Sequence, residues 1–559
     1  MRKSTATVLH EIAELVFDPR AVPWLVLMCE RAMTDPEPQL RSAAMTLTWH
    51  LAEHLPNAFL GDARQGSRSL RRLPPRTDPT FAEVYLLQCK LLPVATRLAE
   101  DRAPSVRLAV AAQCDRLCNA LGEHWSSVII DVLQALLGDT DERVRSEAIL
   151  CVPRLVETVL VSSSRHGPRD GGVGVLQALL PVSIKLQKDL CASVRIALAT
   201  SAGELLTLLV GLDNLEETPT TPSSCGESSL GLIEHGRARR YKIYVDETLI
   251  PLVQQLLNDT DPEVTSSALR AVTNASRGTV REMRNRLNST DAEDDTMSLS
   301  SFHSHASLEK KEPVFVPVLS ETQVSRLLPT LTGLANSRQW RVRQGAVEIV
   351  PALLGCTNKL ETRLEIAQLC IHLMSDRVDA VRRTAAECLC LGEGAIGSHG
   401  ENSNGVWISN IVLPHIRACG SSDQSKQRLL SLKMIEVMLL NGVYPPRSIS
   451  PSAGGEADLV LTSPLNELLE VAVSLSTDRV PNVRLNVGRV IGNVIHVFED
   501  AELSLVMKTL KEQIEEEERH DDGGDRDVLF FAKLAISRAQ ARLEEGSFNT
   551  PDTLDTSKD

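Results

Sequence analysis

Aromatic residues are scarce in this 559-residue sequence: Phe, Trp and Tyr make up 3% of it, although 43% of the residues are hydrophobic. A core of such composition consists mostly of Leu, Val and Ala, which suits closely packed helices. Positive charge is not in excess either, because the formal net charge at pH 7 is -14. A nucleic-acid surface needs a concentrated positive field, so we expect no nucleic-acid partner.

Paired metal-binding and catalytic motifs are also missing. The 12 cysteines are scattered without the paired CxxC spacing and nearby His of a zinc site, so we expect buried free thiols and neither a metal nor a cofactor. No GxSxG, P-loop or kinase motif occurs, which predicts that the chain is not an enzyme. The first residues lack a signal-peptide pattern, and no apolar run is expected to reach membrane-spanning length. We therefore expect no membrane partner and a cytoplasmic location, with the nucleus as an alternative.

What the sequence contains instead is one short pattern that returns along the chain. An Asp stands five residues before a Val, and an Arg follows that Val, as in "DRAPSVRLAVAA" from Asp101 and "DTDERVRSEAIL" from Asp139. The Val, or its equivalent, gives ten anchor positions: Leu40, Val106, Val144, Val194, Val264, Val342, Val381, Gln427, Val483 and Val528. Many gaps between anchors fall near the length of about 40–47 residues that is typical of helical repeats.

Prolines mark both helices of each repeat. Five anchors have a Pro 13 residues earlier, after two aliphatic residues, which predicts a bend in a first helix, helix A: Pro93, Pro181, Pro251, Pro329 and Pro414. Four have a Pro two residues earlier, which suits the first turn of helix B: Pro38, Pro104, Pro262 and Pro481. Asp141 and Asp261 are predicted to cap helix B, and Gly122, Gly355 and Gly392 to end it. The fold class is an all-α α-solenoid of about ten helix pairs.

The residue after the anchor is an arginine in eight of the ten repeats: Arg41, Arg107, Arg145, Arg195, Arg343, Arg382, Arg428 and Arg484. Thr265 and Leu529 take its place in the other two. An Asp and an Arg six residues apart across a turn can bind each other, exposed backbone groups or the neighbouring repeat. We interpret them as structural contacts between repeats, since catalysis does not require eight copies.

Together these features resemble HEAT repeats, which carry Pro in helix A, Asp in the turn and Val-Arg at the start of helix B. The C-terminal half is more specific: "SRQWRVRQGAVEIVPALLG" (337–355), "DRVDAVRRTAAECL" (376–389), "WISNIVLPHI" (407–416), "DRVPNVRLNVGRVIG" (478–492) and "DVLFFAKLAI" (527–536) occur in that order. They resemble the last five repeats of the scaffold (A) subunit of type 2A protein phosphatases, and equally those of the related regulatory subunit 1 of protein phosphatase 4.

The resemblance implies a non-catalytic scaffold for a Ser/Thr phosphatase catalytic subunit, with an exchangeable regulatory subunit on earlier repeats. It places catalytic-subunit docking on the turns between helices A and B of the C-terminal repeats. The implied partner-binding residues are Trp340, Arg341, Asp379, Ser425, Lys426, Val480, Pro481 and Asn482. Asp379 and Ser425 stand where the scaffold family carries aromatic residues. The resemblance therefore leaves open whether a 2A-type or a 4-type catalytic subunit binds.

The domain organisation follows from the repeats and from polar stretches between them. We expect helical repeats at 1–60, a basic loop at 61–80, HEAT repeats at 81–275 and a disordered insertion at 276–320. C-terminal HEAT repeats with the docking region follow at 321–543, and a disordered tail at 544–559. An alternative reading of the same repeats is a HEAT-repeat adaptor or transport receptor that has no relation to phosphatases.

Overall fold

The computed structural model describes residues 22–60, 91–121, 126–166, 170–217, 241–276, 319–357, 359–396, 407–443, 449–451, 459–461, 465–519 and 524–547. The chain divides into two compact units, Met1–Leu319 and Ser320–Asp559. The predicted loop at 61–80, residues 277–318 of the insertion predicted at 276–320 and residues 548–559 of the predicted C-terminal tail lie outside the described residues.

The described part of the N-terminal unit consists of five helix pairs. The helices are α1 (Val22–Ala32), α2 (Pro38–Leu60), α3 (Leu92–Ala99), α4 (Pro104–Ala111), α5 (Cys114–Leu121), α6 (Ser126–Leu137), α7 (Glu142–His166), α8 (Asp170–Lys185), α9 (Ala192–Glu217), α10 (Ile250–Leu257) and α11 (Pro262–Ser276). A break divides the B helix of the second pair into α4 and α5. B helices stack on one another, since α9 packs against both α7 and α11.

The C-terminal unit repeats this arrangement in five further pairs. Its helices are α12 (Glu321–Leu334), α13 (Trp340–Glu348), α14 (Val350–Gly355), α15 (Leu360–Leu373), α16 (Asp379–Ile396), α17 (Leu413–Gly420), α18 (Ser425–Leu440), α19 (Asn466–Ser474), α20 (Pro481–Val494), α21 (Asp500–Glu518) and α22 (Arg526–Ser547). Again B helices form one layer, with α20 between α18 and α22. The stacked pairs confirm the predicted α-solenoid.

The anchors have one structural meaning in both units. All ten occupy the third residue of a B helix, so each B helix begins two residues before its anchor. Nine are buried, and seven of these are no more than 1% exposed; only Gln427 is half-buried. Burial of an apolar side chain at this position stabilises the fold by about 25 cal/mol per Å² of apolar surface removed from water. The Val of the motif is therefore a core residue.

The two proline positions behave differently. Pro38, Pro104, Pro262 and Pro481 are each the first residue of helix B, as predicted, because the missing N–H costs nothing there. Pro181 and Pro329 lie inside α8 and α12. Before Pro251 and Pro414, however, the chain forms one π-helical turn, at Val245–Leu249 and Ile408–Val412. The sequence predicted a simple bend at these prolines. Instead, the wider π-helical turn accommodates the backbone hydrogen bond that each proline cannot make.

The prediction that Gly392 ends a helix is wrong. Helix α16 continues to Ile396, and the reason for a glycine is space. A Cβ at this position would lie 2.8 Å from Leu354 Cδ1 and from Trp407 Nε1. The buried Trp407 indole donates to the carbonyl of Leu389 at 2.9 Å, so its ring passes directly over the glycine. Gly355 does end α14, as predicted, and Gly122 lies outside the described residues.

Two further features were not predicted. Ile449–Pro451 and Leu459–Leu461 form a small antiparallel pair of strands, β1 and β2, between α18 and α19. One segment, Ala192–Val210 of α9, is long and apolar enough to cross a membrane by length and composition, contrary to the expectation that no such run exists. Since 61% of that segment is buried between α7 and α11, it has the character of a core helix.

The ten cysteines among the described residues are free thiols, and nine of them are buried. Burial raises the pKa of Cys29 to about 12 and that of Cys419 to about 11, so these groups are thiols and not thiolates at neutral pH. No cluster of His, Cys, Asp and Glu suited to a metal ion occurs among the described residues.

Candidate protein-docking ridge

A ladder of ion pairs joins the turns of successive repeats, and we call it the Asp–Arg ladder. In the N-terminal unit the Arg after each of the first four anchors binds the Asp of the next repeat. The Nε–Oδ2 distances are 2.6 Å for Arg41–Asp101, 2.5 Å for Arg107–Asp139, 2.8 Å for Arg145–Asp189 and 2.7 Å for Arg195–Asp259. The side chains of these pairs are only 6–14% exposed. The recurrent Asp and Arg are thus contacts between repeats, as predicted.

We call each Arg–Asp pair of the ladder a rung, and each rung also makes hydrogen bonds with the backbone of the turns that it joins. Arg107 donates from Nε and Nη2 to the two carboxylate oxygens of Asp139, and from Nη1 to the carbonyl of Asp101 in its own turn, at 2.6 Å. The Asp139 carboxylate also accepts the N–H of Asp141 at 2.8 Å. A planar guanidinium with five donors suits this bidentate arrangement. One Arg therefore fixes two successive turns.

The charges in the ladder keep the carboxylates ionised. For Asp139, burial alone would raise the pKa, but the Arg107 guanidinium and the backbone N–H of Asp141 outweigh it and lower the pKa below its ordinary value. For Asp376 the hydrogen bond from Arg343 is the main cause of a lowered pKa. A lowered carboxylate pKa means that the folded state is stabilised where the Asp is charged.

In the C-terminal unit the ladder has three closed rungs, in which the Arg binds an acidic residue of the next repeat. It has one open rung, in which the Arg makes no such pair with a described residue. Nε–O distances are 2.6 Å for Arg343–Asp376, 2.5 Å for Arg428–Asp478 and 2.5 Å for Arg484–Glu517. Arg382 is different, because its ion pair is with Asp379 of its own turn, at 2.7 Å. The position that holds Asp in seven of the ten repeats is Ser422 in the repeat after Arg382.

The predicted partner-binding residues fall on four successive turns, of which the ladder joins the first to the second and the third to the fourth. We define the docking ridge as residues 338–341, 377–380, 423–426 and 479–482, the four residues before each anchor. Gln427 Nε2 contacts Ser375 Oγ at 3.5 Å, and Arg479 donates to the carbonyl of Asp423 at 3.1 Å. The structure thus brings together in one row the residues that the sequence placed on separate turns: Trp340, Arg341, Asp379, Ser425, Lys426, Val480, Pro481 and Asn482.

Trp340 and Arg341 contact each other on the first turn of the docking ridge. Trp340 is the first residue of α13 and is half-buried, while Arg341 is exposed. The Arg341 guanidinium carbon lies 4.9 Å from the centre of the Trp340 ring, which is a cation–π contact. A partly exposed Trp beside an exposed Arg is typical of binding hot spots.

The other predicted partner-binding residues are mostly polar and differ in their exposure to solvent. Asp379 is exposed and is shared between Arg382 and Arg383. Lys426, Pro481 and Asn482 are exposed, whereas Ser425 and Val480 are half-buried. Asp379, Ser425 and Pro481 are each the first residue of a B helix, as Trp340 is.

The sequence analysis missed the charge of the ridge. Five basic side chains are exposed on it, and they stand against only two acidic residues, Asp379 and Asp423: Arg338, Arg341, Arg377, Lys426 and Arg479. None of these five makes an ion pair within the described part of the chain. The signal was visible, since Arg follows the ladder position at 338, 377 and 479, but an overall charge of -14 hides it.

Comparison with known proteins identifies the fold. No protein-family model matches the chain, and no curated protein matches it in sequence. Solved structures do match: the crystal structure of importin beta in an ammonium sulfate condition has a TM-score of 0.52 at 13% identity, over 97% of this chain and 56% of that one. The Kap95:Nup1 complex matches with a TM-score of 0.51, at the same identity and coverage.

At this identity the likeness shows the fold alone, which is the predicted all-α HEAT-repeat solenoid. The chain spans about 56% of the length of the importin-beta chains that it matches. The matching structures indicate no catalytic family. They do not identify the chain as a phosphatase scaffold, so that resemblance remains a prediction.

Proposed function

We propose that this chain is a non-catalytic HEAT-repeat adaptor that binds a protein partner along its docking ridge. The observation that carries this proposal is the row of outward basic side chains beside Trp340 on four linked turns. Charge that the chain leaves unpaired attracts an acidic surface, and this steers association and fixes the register of the complex. The partner is therefore a protein with an acidic docking surface.

Rigidity of the ridge supports this proposal. Arg343 and Arg428 each bind a carboxylate of the next repeat and two carbonyls of their own turn, and both are buried. Turns held in this way lose little conformational entropy when a partner binds. Trp340 supplies the apolar anchor, and the surrounding arginines supply the polar rim.

The finer proposal is that the partner is a Ser/Thr phosphatase catalytic subunit of the 2A or 4 type. Its support is that the segments resembling the phosphatase scaffold lie in the C-terminal unit and include these turns. An exchangeable regulatory subunit would bind the N-terminal unit, and the chain would raise the effective concentration of substrate at the catalytic subunit. Asp379 and Ser425, at positions aromatic in that family, would contribute polar contacts.

A transport receptor is the second candidate, and the fold likeness to importin beta over nearly the whole chain favours it. The basic ridge suits an acidic cargo as well as an acidic catalytic subunit. The two candidates therefore share the docking surface and differ in the protein that occupies it.

A capture experiment separates these proposals. The tagged full chain, the double variant Trp340→Ala/Arg341→Ala and the control Leu190→Ala are exposed to cell extract, and bound proteins are identified by mass spectrometry. Leu190 is 97% exposed on a turn of the N-terminal unit, so its replacement removes a comparable apolar contact away from the ridge. Circular dichroism verifies that all three proteins are equally helical.

We expect a partner that wild type and the Leu190 variant capture and that the double variant loses. Loss of a Trp–Arg hot spot costs about 2–4 kcal/mol, which weakens binding by about 30- to 1,000-fold. Recovery of a phosphatase catalytic subunit supports the scaffold proposal, and recovery of a cargo protein supports the transport receptor. If the double variant captures its partners as well as wild type does, the docking ridge is not the binding surface.

A further inference from the structure

The open rung at Arg382 differs from the other interruption of the ladder. After the fifth anchor, Val264, the sequence has Thr265 in place of the Arg, and Ser337 stands in place of the Asp before the next anchor. Both charges are absent together there. At Arg382 the cation is retained and only the acid is replaced, by Ser422. Arg382 is thus the ladder arginine among the described repeats whose ion pair stays within its own turn.

Ser422 already performs the backbone role of the missing acid. Its Oγ accepts the N–H of Gln424 at 3.2 Å, as Asp376 and Asp478 accept the N–H two residues on, at 2.8 Å. The carbonyl of Ser422 accepts Nη1 of Arg428 at 2.8 Å. The hydroxyl therefore stands in the place of the ladder carboxylate, but it brings no charge.

Arg382 remains positioned as the other ladder arginines are. Its Nη1 donates to the carbonyls of Asp376 and Arg377 at 2.8 and 3.1 Å, and its side chain is only 12% exposed. Nη2 turns back to Asp379, whose side chain is 52% exposed. A surface pair of this kind contributes little stability, so it yields readily to a stronger anion.

We propose that Ser422 is a phosphorylation site and that its phosphoryl group completes the missing rung by binding Arg382. A protein kinase would transfer the γ-phosphoryl group of a nucleoside triphosphate to Ser422 Oγ. The Oγ–P bond forms, the bond between the γ-phosphorus and the bridging oxygen breaks, the nucleoside diphosphate leaves with that electron pair, and the hydroxyl proton passes to a base of the kinase. Ser422 is half-buried on a turn whose neighbours Ser421, Asp423 and Gln424 are exposed.

Phosphoserine at position 422 would supply the negative charge that the open rung lacks. A phosphoserine carries a charge of about -1.5 to -2 at neutral pH and three acceptor oxygens, which pair with a guanidinium in bidentate fashion. The added phosphoryl group makes the short serine side chain longer than the aspartate side chain that occupies this position in the closed rungs. The modification would also draw Arg382 away from Asp379 on the docking ridge. Phosphorylation of this rung does not depend on which partner binds that ridge.

The test uses the full chain with phosphoserine incorporated at position 422 during translation. The matched control carries phosphoserine at the exposed neighbour Ser421, and each version is also made with Arg382→Gln. Phosphorus NMR titration reports the second pKa of the phosphate, and amide hydrogen exchange reports opening of the first turns of α16 and α18. Separately, mass spectrometry follows phosphorylation of the unmodified chain in extract of the cells that produce it.

We expect the second pKa of the phosphate at 422 to lie below its ordinary value of about 6, since pairing with Arg382 favours the dianion. Amide opening should slow by about tenfold, because charge-assisted hydrogen bonds replace a weak surface pair. Arg382→Gln should abolish both effects, and phosphoserine at 421 should show neither. Equal behaviour of the two phosphoserines, insensitivity to Arg382→Gln, or absence of phosphate from Ser422 in the extract would overturn the proposal.

Discussion

The turns of the N-terminal unit and those of the docking ridge are built alike and charged oppositely. In the N-terminal unit, the four residues before each of five anchors include two basic residues, Arg102 and Arg143, and five acidic ones: Glu37, Asp141, Glu142, Asp261 and Glu263. On the four turns of the docking ridge, five basic residues stand against two acidic ones. The ladder is closed at every described rung of the N-terminal unit and open at Arg382 in the C-terminal unit.

Different positions of the same repeat therefore fix the backbone of the turn and set the charge of its surface. The anchor and the ladder position fix the backbone of each turn, and they are nearly constant along the chain. The four residues between them vary freely, so they set the chemistry of the surface without changing the fold. A protein that repeats a turn can therefore carry surfaces of opposite charge on one scaffold.

Loss of a closed rung should have the largest effect on stability. Arg107→Ala leaves Asp139 buried without its partner, which should cost about 3–5 kcal/mol of unfolding free energy. Arg382→Ala removes backbone contacts and an ion pair whose carboxylate, on Asp379, is half exposed to solvent, and should cost about 1 kcal/mol. Denaturant unfolding followed by circular dichroism measures both. Equal costs would contradict the distinction between closed and open rungs.

The next largest effect on stability is expected where α9 packs closely against α11 in the N-terminal unit. A Cβ on Gly203 would lie 2.5 Å from the Cβ of Ala271, so Gly203→Ala must push α9 away from α11 and should cost about 1–3 kcal/mol. Gly174→Ala is the matched control, because a Cβ on this residue of α8 would have no neighbouring atom within 4 Å. That control should gain up to about 1 kcal/mol from helix propensity. Thermal unfolding of both variants should therefore shift in opposite directions.

Low pH should remove the stabilisation that Arg107 contributes to the folded state. The folded-state pKa of Asp139 lies below its unfolded value, so the rung contributes stability above about pH 4, and this is lost as the pH falls through the folded pKa. The stability gap between wild type and Arg107→Gln should accordingly shrink as the pH falls from about 7 to about 3. Denaturant midpoints at several pH values measure this gap, and a gap independent of pH would show that the ion pair is not its source.

The smallest effect on stability is expected from the charges of the ridge. Arg338→Ser and Arg479→Ser replace exposed side chains, so unfolding free energies should stay within about 0.5 kcal/mol of wild type. Partner binding should nevertheless weaken, mainly through a slower association rate, and should become less sensitive to salt. Surface plasmon resonance at low and high salt gives both quantities. Unchanged association rates would show that these arginines do not steer the partner.

The repeat register could be predicted from the sequence because it depends on short-range rules. Proline at the first turn of a helix, an Asp cap and a buried Val at the third position are local preferences, and they located the start of every B helix. Even Gln427, a polar residue at an apolar position, falls in register because the residues around it still fit. The predicted docking residues came from the family resemblance, and the repeat register assigns them to equivalent turns.

What could not be predicted depends on contacts between distant residues. Arg41 and Asp101 are 60 residues apart, whereas Arg107 and Asp139 are 32 apart, so spacing alone did not reveal which acidic residue each arginine binds. A glycine that ends a helix and one that makes room for Trp407 look the same in sequence, and Gly392 is of the second kind. The local charge of the ridge was concealed by the acidic balance of the whole chain.

A hydrogen-exchange footprint of the full chain, with and without its captured partner, would locate the docking surface directly. We expect slower exchange in peptides that contain residues 338–343, 377–382, 423–428 and 479–484, and unchanged exchange at the N-terminal turns around Asp139 and Asp189. Protection confined to the N-terminal turns, or to helices A of the C-terminal unit, would show that the partner does not bind the docking ridge.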